Sequence, residues 1–348
     1  MSGTTSATTY DNNFNLLRLV AATQVMLVHS LNHFDFVGPL VDFLKATPGV
    51  PVFFFVSGVL ISTAYQRMHH RGDAAFFRNR VLRIYPGLVA CVVVAVALVA
   101  ATGYFAGKDI GVLRFVAWLV GQATFVQFYN PDFMRAFGVG VLNGALWTIT
   151  VELQFYALVP LLFRLVVRRP TWLAVLFVAS ICANLYVHSQ VDDRTFAIKL
   201  FYVTFVPWLY MFIAGFAVAY YAGLTAAIER APAWMLLIGY VAAMTLIGGY
   251  TSNAQNSINP IAFAFLACLI YKLATARLPF LPQRFIRYVR REDLSYGLYL
   301  YHMPMINVLL FLGLFSAEAS VAAVAVASLA AAAASWYAVE KPALRYKR

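Results

Sequence analysis

The residue types best suited to acid–base chemistry lie in the first apolar segment, residues 14–34. Arg18 and His29 are about three helical turns apart and His33 follows one turn later, so all three share one helix face. Ionisable groups inside an apolar segment are costly and are therefore candidates for function. The spacing predicts a polar stripe with a catalytic base. The structural alternative is that Arg18 reaches the interface and both histidines are packing residues.

A second candidate is Glu152, inside the apolar segment 145–163. An unpaired carboxylate there costs about 2.5 kcal/mol or more, so we expect a His or Arg partner on another helix. A Glu beside a His raises the basicity of the imidazole and suits a general base that acts on a hydroxyl. A purely structural ion pair is the alternative. Trp147, Gln154 and Tyr156 belong to the same segment and are candidate substrate or supporting residues.

Three arginines, Arg78, Arg80 and Arg83, stand immediately before another apolar segment. Guanidinium groups bind phosphates through two parallel hydrogen bonds, so this cluster is a candidate anion site. An ordinary topology signal is the simpler interpretation. His302, preceded by Tyr301 in the segment 294–315, is a weaker candidate with a possible structural role.

The composition indicates that these residues lie in a membrane. Of the 348 residues, 62% are apolar and 11% are charged, whereas soluble proteins have about 45–50% apolar and about 25% charged residues. At about 20 residues per span, the apolar residues suffice for roughly ten spans. We therefore predict an all-α, polytopic helical bundle that forms a single domain, residues 1–348, in the cell (inner, cytoplasmic) membrane.

Eleven apolar segments are candidate spans, at residues 14–34, 49–66, 85–106, 112–129, 145–163, 171–189, 200–221, 233–250, 258–274, 294–315 and 319–338. Basic residues gather in cytoplasmic loops. If all eleven segments crossed, the basic loops 164–169 and 272–291 would face outside. Omitting 112–129, which contains Arg114 and Gln122, corrects both loops. The sequence therefore predicts ten crossings with both termini cytoplasmic and a non-spanning external segment at 112–129.

The net charge of +12 fits this topology rather than nucleic-acid binding, because no soluble basic domain is available to hold a duplex. The cysteines lie far apart without CxxC spacing, so no metal site is expected. The expected partner is therefore the lipid bilayer, together with whatever small molecules the intramembrane polar residues bind.

Several short segments resemble, in order and spacing, the integral-membrane acyltransferase type three family. These segments are Phe53–Ile61, Arg80–Pro86, Leu146–Glu152, Ser295–Pro304 and Val339–Pro342. The resemblance extends from about residue 14 to 345. It implies transfer of acetyl or other acyl groups from cytoplasmic acyl-CoA to hydroxyls of sugars or other acceptors, often in surface polysaccharides.

The resemblance also implies site residues. A basic residue and a His separated by ten residues correspond to Arg18 and His29, and an RxxR pair for coenzyme A corresponds to Arg80 and Arg83. Many relatives have two consecutive acids where this chain has Glu152 followed by Leu153. Larger relatives carry a fused extracytoplasmic hydrolase-like domain, which we do not expect here because no GxSxG motif occurs.

These observations favour a membrane O-acyltransferase with acyl-CoA, and acetyl-CoA first, as donor and a carbohydrate or glycoconjugate as acceptor. His29, polarised by Glu152, would be the base or the acyl carrier, with Arg18 as a further catalytic group. The alternative is a proton-coupled transporter, because ten crossings with intramembrane Glu, His and Arg also describe one. No inverted repeat supports that alternative.

Overall fold

The computed structural model describes residues 12–190, 195–248, 256, 258–315 and 318–347. Within these ranges the regular secondary structure is entirely helical. The chain ends, residues 1–11 and 348, lie outside the described residues, and so does the predicted cytoplasmic position of the termini.

The helices follow one another with short connections. In chain order they are α1 (Phe14–His33), α2 (Pro39–Lys45), α3 (Gly49–Met68), α4 (Asp73–Ala101), α5 (Val112–Gln122), α6 (Trp147–Arg168), α7 (Thr171–Ser189), α8 (Phe196–Tyr202), α9 (Leu209–Tyr220), α10 (Ala222–Arg230), α11 (Ala233–Leu246), α12 (Pro260–Thr275), α13 (Gln283–Arg291), α14 (Ser295–Phe311), α15 (Glu318–Ser335) and α16 (Lys341–Leu344). A π-helical turn, Trp336–Glu340, joins α15 to α16.

In the described part of the chain, six helical stretches are long and apolar enough to cross a bilayer, and a bent pair gives a seventh. The six are Phe14–His33, Pro39–Arg71, Asp73–Ala101, Gly144–Val166, Thr171–Ser189 and Glu318–Leu344. Helices α11, α12 and α14 have 14, 16 and 17 residues. At 1.5 Å per residue they are about 21–26 Å long, shorter than the ~30 Å hydrocarbon core. The count is therefore lower than the ten spans predicted from apolar runs, since a run continues through turns that end a helix.

The predicted span at residues 200–221 is broken. The axes of α8 and of the segment that continues into α9 differ by 49°. Pro207 lies at the break and has no backbone N–H to donate. Gln154 of α6 binds the exposed backbone, donating from Nε2 to the carbonyl of Val203 (2.8 Å) and accepting from the N–H of Phe205 (2.9 Å). Such compensation is needed wherever a helix breaks in a membrane.

The segment 112–129 forms only a short helix. α5 has 11 residues, about 16 Å, which is too short to cross the hydrocarbon core as a straight helix. Its Trp118 is fully buried and packs edge-on against Phe133, with ring centroids 5.3 Å apart. This length fits the prediction that the segment does not span.

Helices α1 and α14 pack side by side in the same direction. Arg18, in the second turn of α1, contacts Asp293 just before α14, and His29, near the other end, contacts His302 inside α14. The two contacts occur in the same order along both helices. The first helix therefore places its polar face on the ninth of the ten predicted crossings.

The backbones of α3 and α9 touch at two glycines. A Cβ on Gly58 would lie 2.2 Å from the carbonyl oxygen of Phe212, and a Cβ on Gly215 would lie 2.2 Å from the carbonyl oxygen of Phe55. Small residues permit such close approach between membrane helices. The contact fixes the position of α3.

A large apolar cavity lies on the α9 side of α3. It has a volume of about 440 Å³ and lies between α3, α7, α9, α10 and α12. Its wall includes Phe55, Phe177, Ala214 and Ala267. We call it the apolar cavity.

Candidate active site

The centre of the site is a hydrogen bond between two histidines. Nδ1 of His29 lies 2.8 Å from Nε2 of His302, and the two rings are stacked with centroids 5.1 Å apart. His302 is fully buried and His29 is half-buried. The ring of His33 lies 6.2 Å from that of His29. The face of α1 that was predicted from residue spacing therefore packs against α14.

The histidine pair leaves one ring nitrogen of His29 available. Within the described residues, Nε2 of His29 makes no hydrogen bond, whereas Nδ1 is held by His302. When Nδ1 carries the proton and donates it to His302, Nε2 has its lone pair free and can accept a proton from a hydroxyl. An oriented base of this kind is the arrangement that nucleophile activation requires.

Within the described residues Glu152 makes no hydrogen bond to His29, so the expected direct His29–Glu152 pair is not present. Oε1 of Glu152 accepts hydrogen bonds from Tyr156 Oη (2.5 Å) and Ser57 Oγ (3.2 Å). The physical reason is the position of α3, which packs against both α1 and α6 and places Ser57 beside Glu152. The imidazole partner of His29 comes from α14 instead.

Arg18 and Glu152 nevertheless line one small cavity of about 30 Å³, which we call the polar cavity. Tyr299 forms part of the same wall and connects it to the histidine pair. Its hydroxyl lies 2.7 Å from Thr148 Oγ1, and its ring centroid lies 5.7 Å from that of His302. The polar cavity and the histidine pair are therefore neighbours separated by one aromatic ring.

An ion network lies beside the polar cavity, at the N-terminal end of α14. Arg18 and Arg83 both donate to Oδ2 of Asp293, and Arg83 also lies 3.5 Å from Oε2 of Glu340. The hydroxyl of Ser295 donates to the other oxygen of Asp293 at 2.5 Å. Burial opposes the ionisation of Asp293, but the charges of Arg18 and Arg83 lower its pKa to about 2. Two predicted site arginines are thus anchored by carboxylates.

The other two arginines of the predicted anion site form no salt bridge within the described part of the chain. Arg78 is exposed and donates from Nη2 to the carbonyl of Tyr346 at 3.3 Å. Arg80 is half-buried, and its guanidinium carbon lies 5.9 Å from the ring centre of Tyr156. Because Tyr156 donates to Glu152, this stack links the basic end of α4 to the polar cavity.

Three predicted supporting residues have structural contacts away from the polar cavity. Trp147 packs against Trp208 with ring centroids 5.3 Å apart, and Gln154 binds the backbone at the break before α9. Tyr301 is buried in the main hydrophobic core. The side chains of these three residues are not part of the polar cavity wall.

Sequence reasoning missed Asp293, Glu340 and Ser57. A signal existed for both acids, because buried arginines need counter-ions and few acids lie at the ends of apolar segments. Ser57 lies in the family-like segment Phe53–Ile61. Its side chain is uncharged, so the cost of burying a charge did not indicate it as a site residue. Among the residues that the structure describes, no group of three or more His, Cys, Asp or Glu side chains could hold a metal ion.

Comparison with known proteins agrees with the motif resemblance. Residues 11–340 match a family model described as an acyltransferase domain. The chain is 34% identical over 354 residues to nodulation protein 10 of Rhizobium leguminosarum bv. viciae, covering 97% of this chain and 94% of that protein. It is 24% identical over 316 residues to an O-acetyl transferase of Shigella phage Sf6, covering 86% of each. No solved structure matches the chain.

The comparisons favour the enzyme interpretation over the transporter interpretation. The family model covers nearly the whole chain, and both relatives align over most of their length. Acyl transfer, rather than transport, is therefore the activity class. The chain belongs to the type three family of membrane acyltransferases and is an acyltransferase.

Proposed function

We propose that the protein is an O-acyltransferase that moves an acetyl or other acyl group from cytoplasmic acyl-CoA to a hydroxyl of a carbohydrate or glycoconjugate. Family membership supports acyl transfer, and the phage relative named O-acetyl transferase supports an acetyl group and an oxygen acceptor. The observation that carries the proposal is the His29–His302 hydrogen bond. It supplies an oriented base whose second nitrogen is free.

In the proposed reaction, Nε2 of His29 removes the proton from the acceptor hydroxyl. The oxygen attacks the thioester carbonyl, the C–S bond breaks, and the thiolate of coenzyme A leaves with the proton returned by His29. The products are an ester and free coenzyme A. His302 is a positioning residue that holds Nδ1 of His29. Arg18 and Glu152 give the adjacent cavity wall opposite charges for the polar parts of the substrates.

We also propose a single domain over residues 1–348 with ten crossings and cytoplasmic termini in the cell (inner) membrane. The parallel packing of α1 and α14 supports this count, because the first and ninth crossings must run in the same direction. If residues 112–129 also crossed, α14 would run opposite to α1. Spans as short as α11 are accommodated by local thinning of the bilayer.

The proposal is tested by release of coenzyme A from acetyl-CoA by the purified protein with a panel of sugar and glycoconjugate acceptors. We expect His29→Ala to lower the acceptor-dependent rate about 10²–10⁴-fold, the range for loss of a general base. The matched control is His70→Ala, because His70 is exposed on the turn before α4. A wild-type rate in His29→Ala would remove the base assignment, and no release with any acceptor would contradict the donor assignment.

The same assay separates a base from a covalent carrier. An acyl-His29 intermediate would release one equivalent of coenzyme A per protein without acceptor, whereas a general base releases none until the acceptor binds. We expect no release in the absence of acceptor.

A further inference from the structure

The two arginines of the RxxR segment have different partners. Arg83 is largely buried and donates to Asp293 and Glu340. Its guanidinium carbon also lies 5.5 Å from the ring centre of Tyr296 and 5.7 Å from that of Trp336. Both of its terminal nitrogens are therefore engaged inside the protein. A ligand phosphate would have to compete with two carboxylates to reach this side chain.

Arg80 has the opposite surroundings. Its Nε is buried and has no hydrogen-bond partner in the described part of the chain. Its guanidinium group lies over the rings of Phe76 and Tyr156, at 5.7 and 5.9 Å. The nearby acid, Glu152, interacts with its charge but already accepts the Tyr156 hydroxyl. The described residues thus leave at least one N–H donor of the Arg80 cation without a partner.

The carboxyl-terminal tail brings a second cation to Arg80. Helix α16 packs against α4, and Arg78 donates to the carbonyl of Tyr346. This contact places Lys347 beside the charges of Arg80 and Arg83, where it is half-buried. Lys347 forms no salt bridge with the described residues. Like charges brought together out of water repel one another unless an anion separates them.

Burial lowers the pKa of Lys347 to about 7, the positive charges of Arg80 and Arg83 add to the effect, and Asp293 opposes it. The charge of Arg83 is already balanced by Asp293 and Glu340. Among the described residues of this cluster, Arg80 and Lys347 are thus half-buried cations without a salt bridge, whereas Arg78 and Arg345 are exposed.

We propose that Arg80 and Lys347 together form the phosphate-binding pocket for the acyl-CoA donor, while Arg83 holds the pocket in place through Asp293 and Glu340. This inference rests on the proposed function, since it assigns residues to the donor of that reaction. A guanidinium and an ammonium group suit a phosphate, which accepts hydrogen bonds on several oxygens. The bound dianion also removes the repulsion between the two cations.

The test is equilibrium binding of coenzyme A to the purified full-length protein. We expect Lys347→Gln and Arg80→Gln each to weaken binding about tenfold or more, the usual effect of losing a hydrogen bond to a charged group. The matched control is Arg345→Gln, which removes one positive charge from an exposed side chain two residues away. We expect this control to change affinity less than about twofold, because exposed charges are screened.

A pH series adds a readout that a structural role would not change. Lys347 loses its charge near pH 7, so the wild-type protein should bind coenzyme A more weakly at pH 8.5 than at pH 6. Lys347→Arg keeps its charge throughout this range. At each pH, dividing the affinity of Lys347→Arg by that of the wild-type protein cancels the effect of the ligand's own ionisation. We expect that ratio to change several-fold in favour of Lys347→Arg as pH rises.

The outcomes separate the two proposals. If the wild-type protein does not bind coenzyme A, the donor in the proposed function is wrong. If it binds and Lys347→Gln binds equally well, the pocket assignment is wrong while the proposed function stands. Equal losses in Lys347→Gln and Arg345→Gln would indicate only a general effect of net charge, and would also overturn the pocket.

Discussion

The two sides of α3 differ in size and in chemistry. Toward α1, α6 and α14 lies the polar cavity of about 30 Å³, with Arg18 and Glu152 in its wall and the histidine pair beside it. Toward α7, α9 and α12 lies the apolar cavity of about 440 Å³. Of these helices, α7 and α9 contain no Asp, Glu, Lys or Arg.

The proposed reactive centre lies beside the smaller of these two cavities, so cavity volume alone would not identify it. Ionisable groups are tolerated in the bilayer only where they can be paired, and pairing fills space. The proposed site therefore lies on the tightly packed side.

The largest effect on stability is expected from Asp293→Asn on the polar side. Both Arg18 and Arg83 would lose their shared carboxylate, and breaking a buried pair of this type costs about 3–5 kcal/mol. Unfolding in detergent, followed by tryptophan fluorescence, measures the change. The matched control is Asp132→Asn, whose side chain is 93% exposed and pairs loosely with Arg114. Equal stability of the two variants would contradict a structural role for the network.

The same carboxylate gives a pH dependence with a defined sign. The folded pKa of Asp293 is about 2, below its ordinary value of 3.8. Its stabilising contribution is therefore complete above about pH 4 and is lost as pH falls toward 2, a loss on the order of 2 kcal/mol. Asp293→Asn should lack this part of the acid transition.

The next effect is expected on catalysis, from His302. We predict that His302→Ala lowers kcat about 10²-fold with little change in the donor KM, because Nδ1 of His29 loses its acceptor. His302→Gln retains an acceptor oxygen and should recover part of the rate. Steady-state kinetics of both variants provide the measurement. A rise in KM with unchanged kcat would place His302 in substrate binding instead.

The smallest effect is expected in the apolar cavity. Ala214→Phe should fill part of this space and change the rate less than about twofold, because the cavity lies behind α3. Coenzyme A release from acetyl-CoA measures this effect. Loss of activity in a folded Ala214→Phe protein would break the comparison, since it would show that a substrate occupies the apolar side.

The sequence predicted correctly which residues share a face when all of them lie on a single helix. The stripe of Arg18, His29 and His33 follows from the helical repeat alone, and it faces α14 in the structure. The same repeat separates Glu152 from Trp147 by about 140° around α6, whereas Gln154 shares the face of Trp147. The position of Trp147 and Gln154 away from the polar cavity could therefore have been predicted.

Partners on different helices were not predictable in the same way. Arg18 and Asp293 are 275 residues apart, and His29 and His302 are 273 apart. Their pairing depends on which helices are neighbours, and hydrophobic periodicity does not specify that. The sequence therefore indicated that Glu152 needed a partner, but it did not indicate that Tyr156 and Ser57 would be that partner instead of a His or Arg.

The glycine contact between α3 and α9 also sets an order of events during synthesis. Gly58 leaves the ribosome 157 residues before Gly215, which at about 5–20 residues per second is a delay of roughly 8–30 s. During that interval the surface of α3 at Gly58 faces lipid or another, temporary neighbour. The 20-residue apolar length of α3 must then be sufficient to keep this helix in the bilayer. Helix α3 thus remains in the membrane without its α9 neighbour until α9 has been translated.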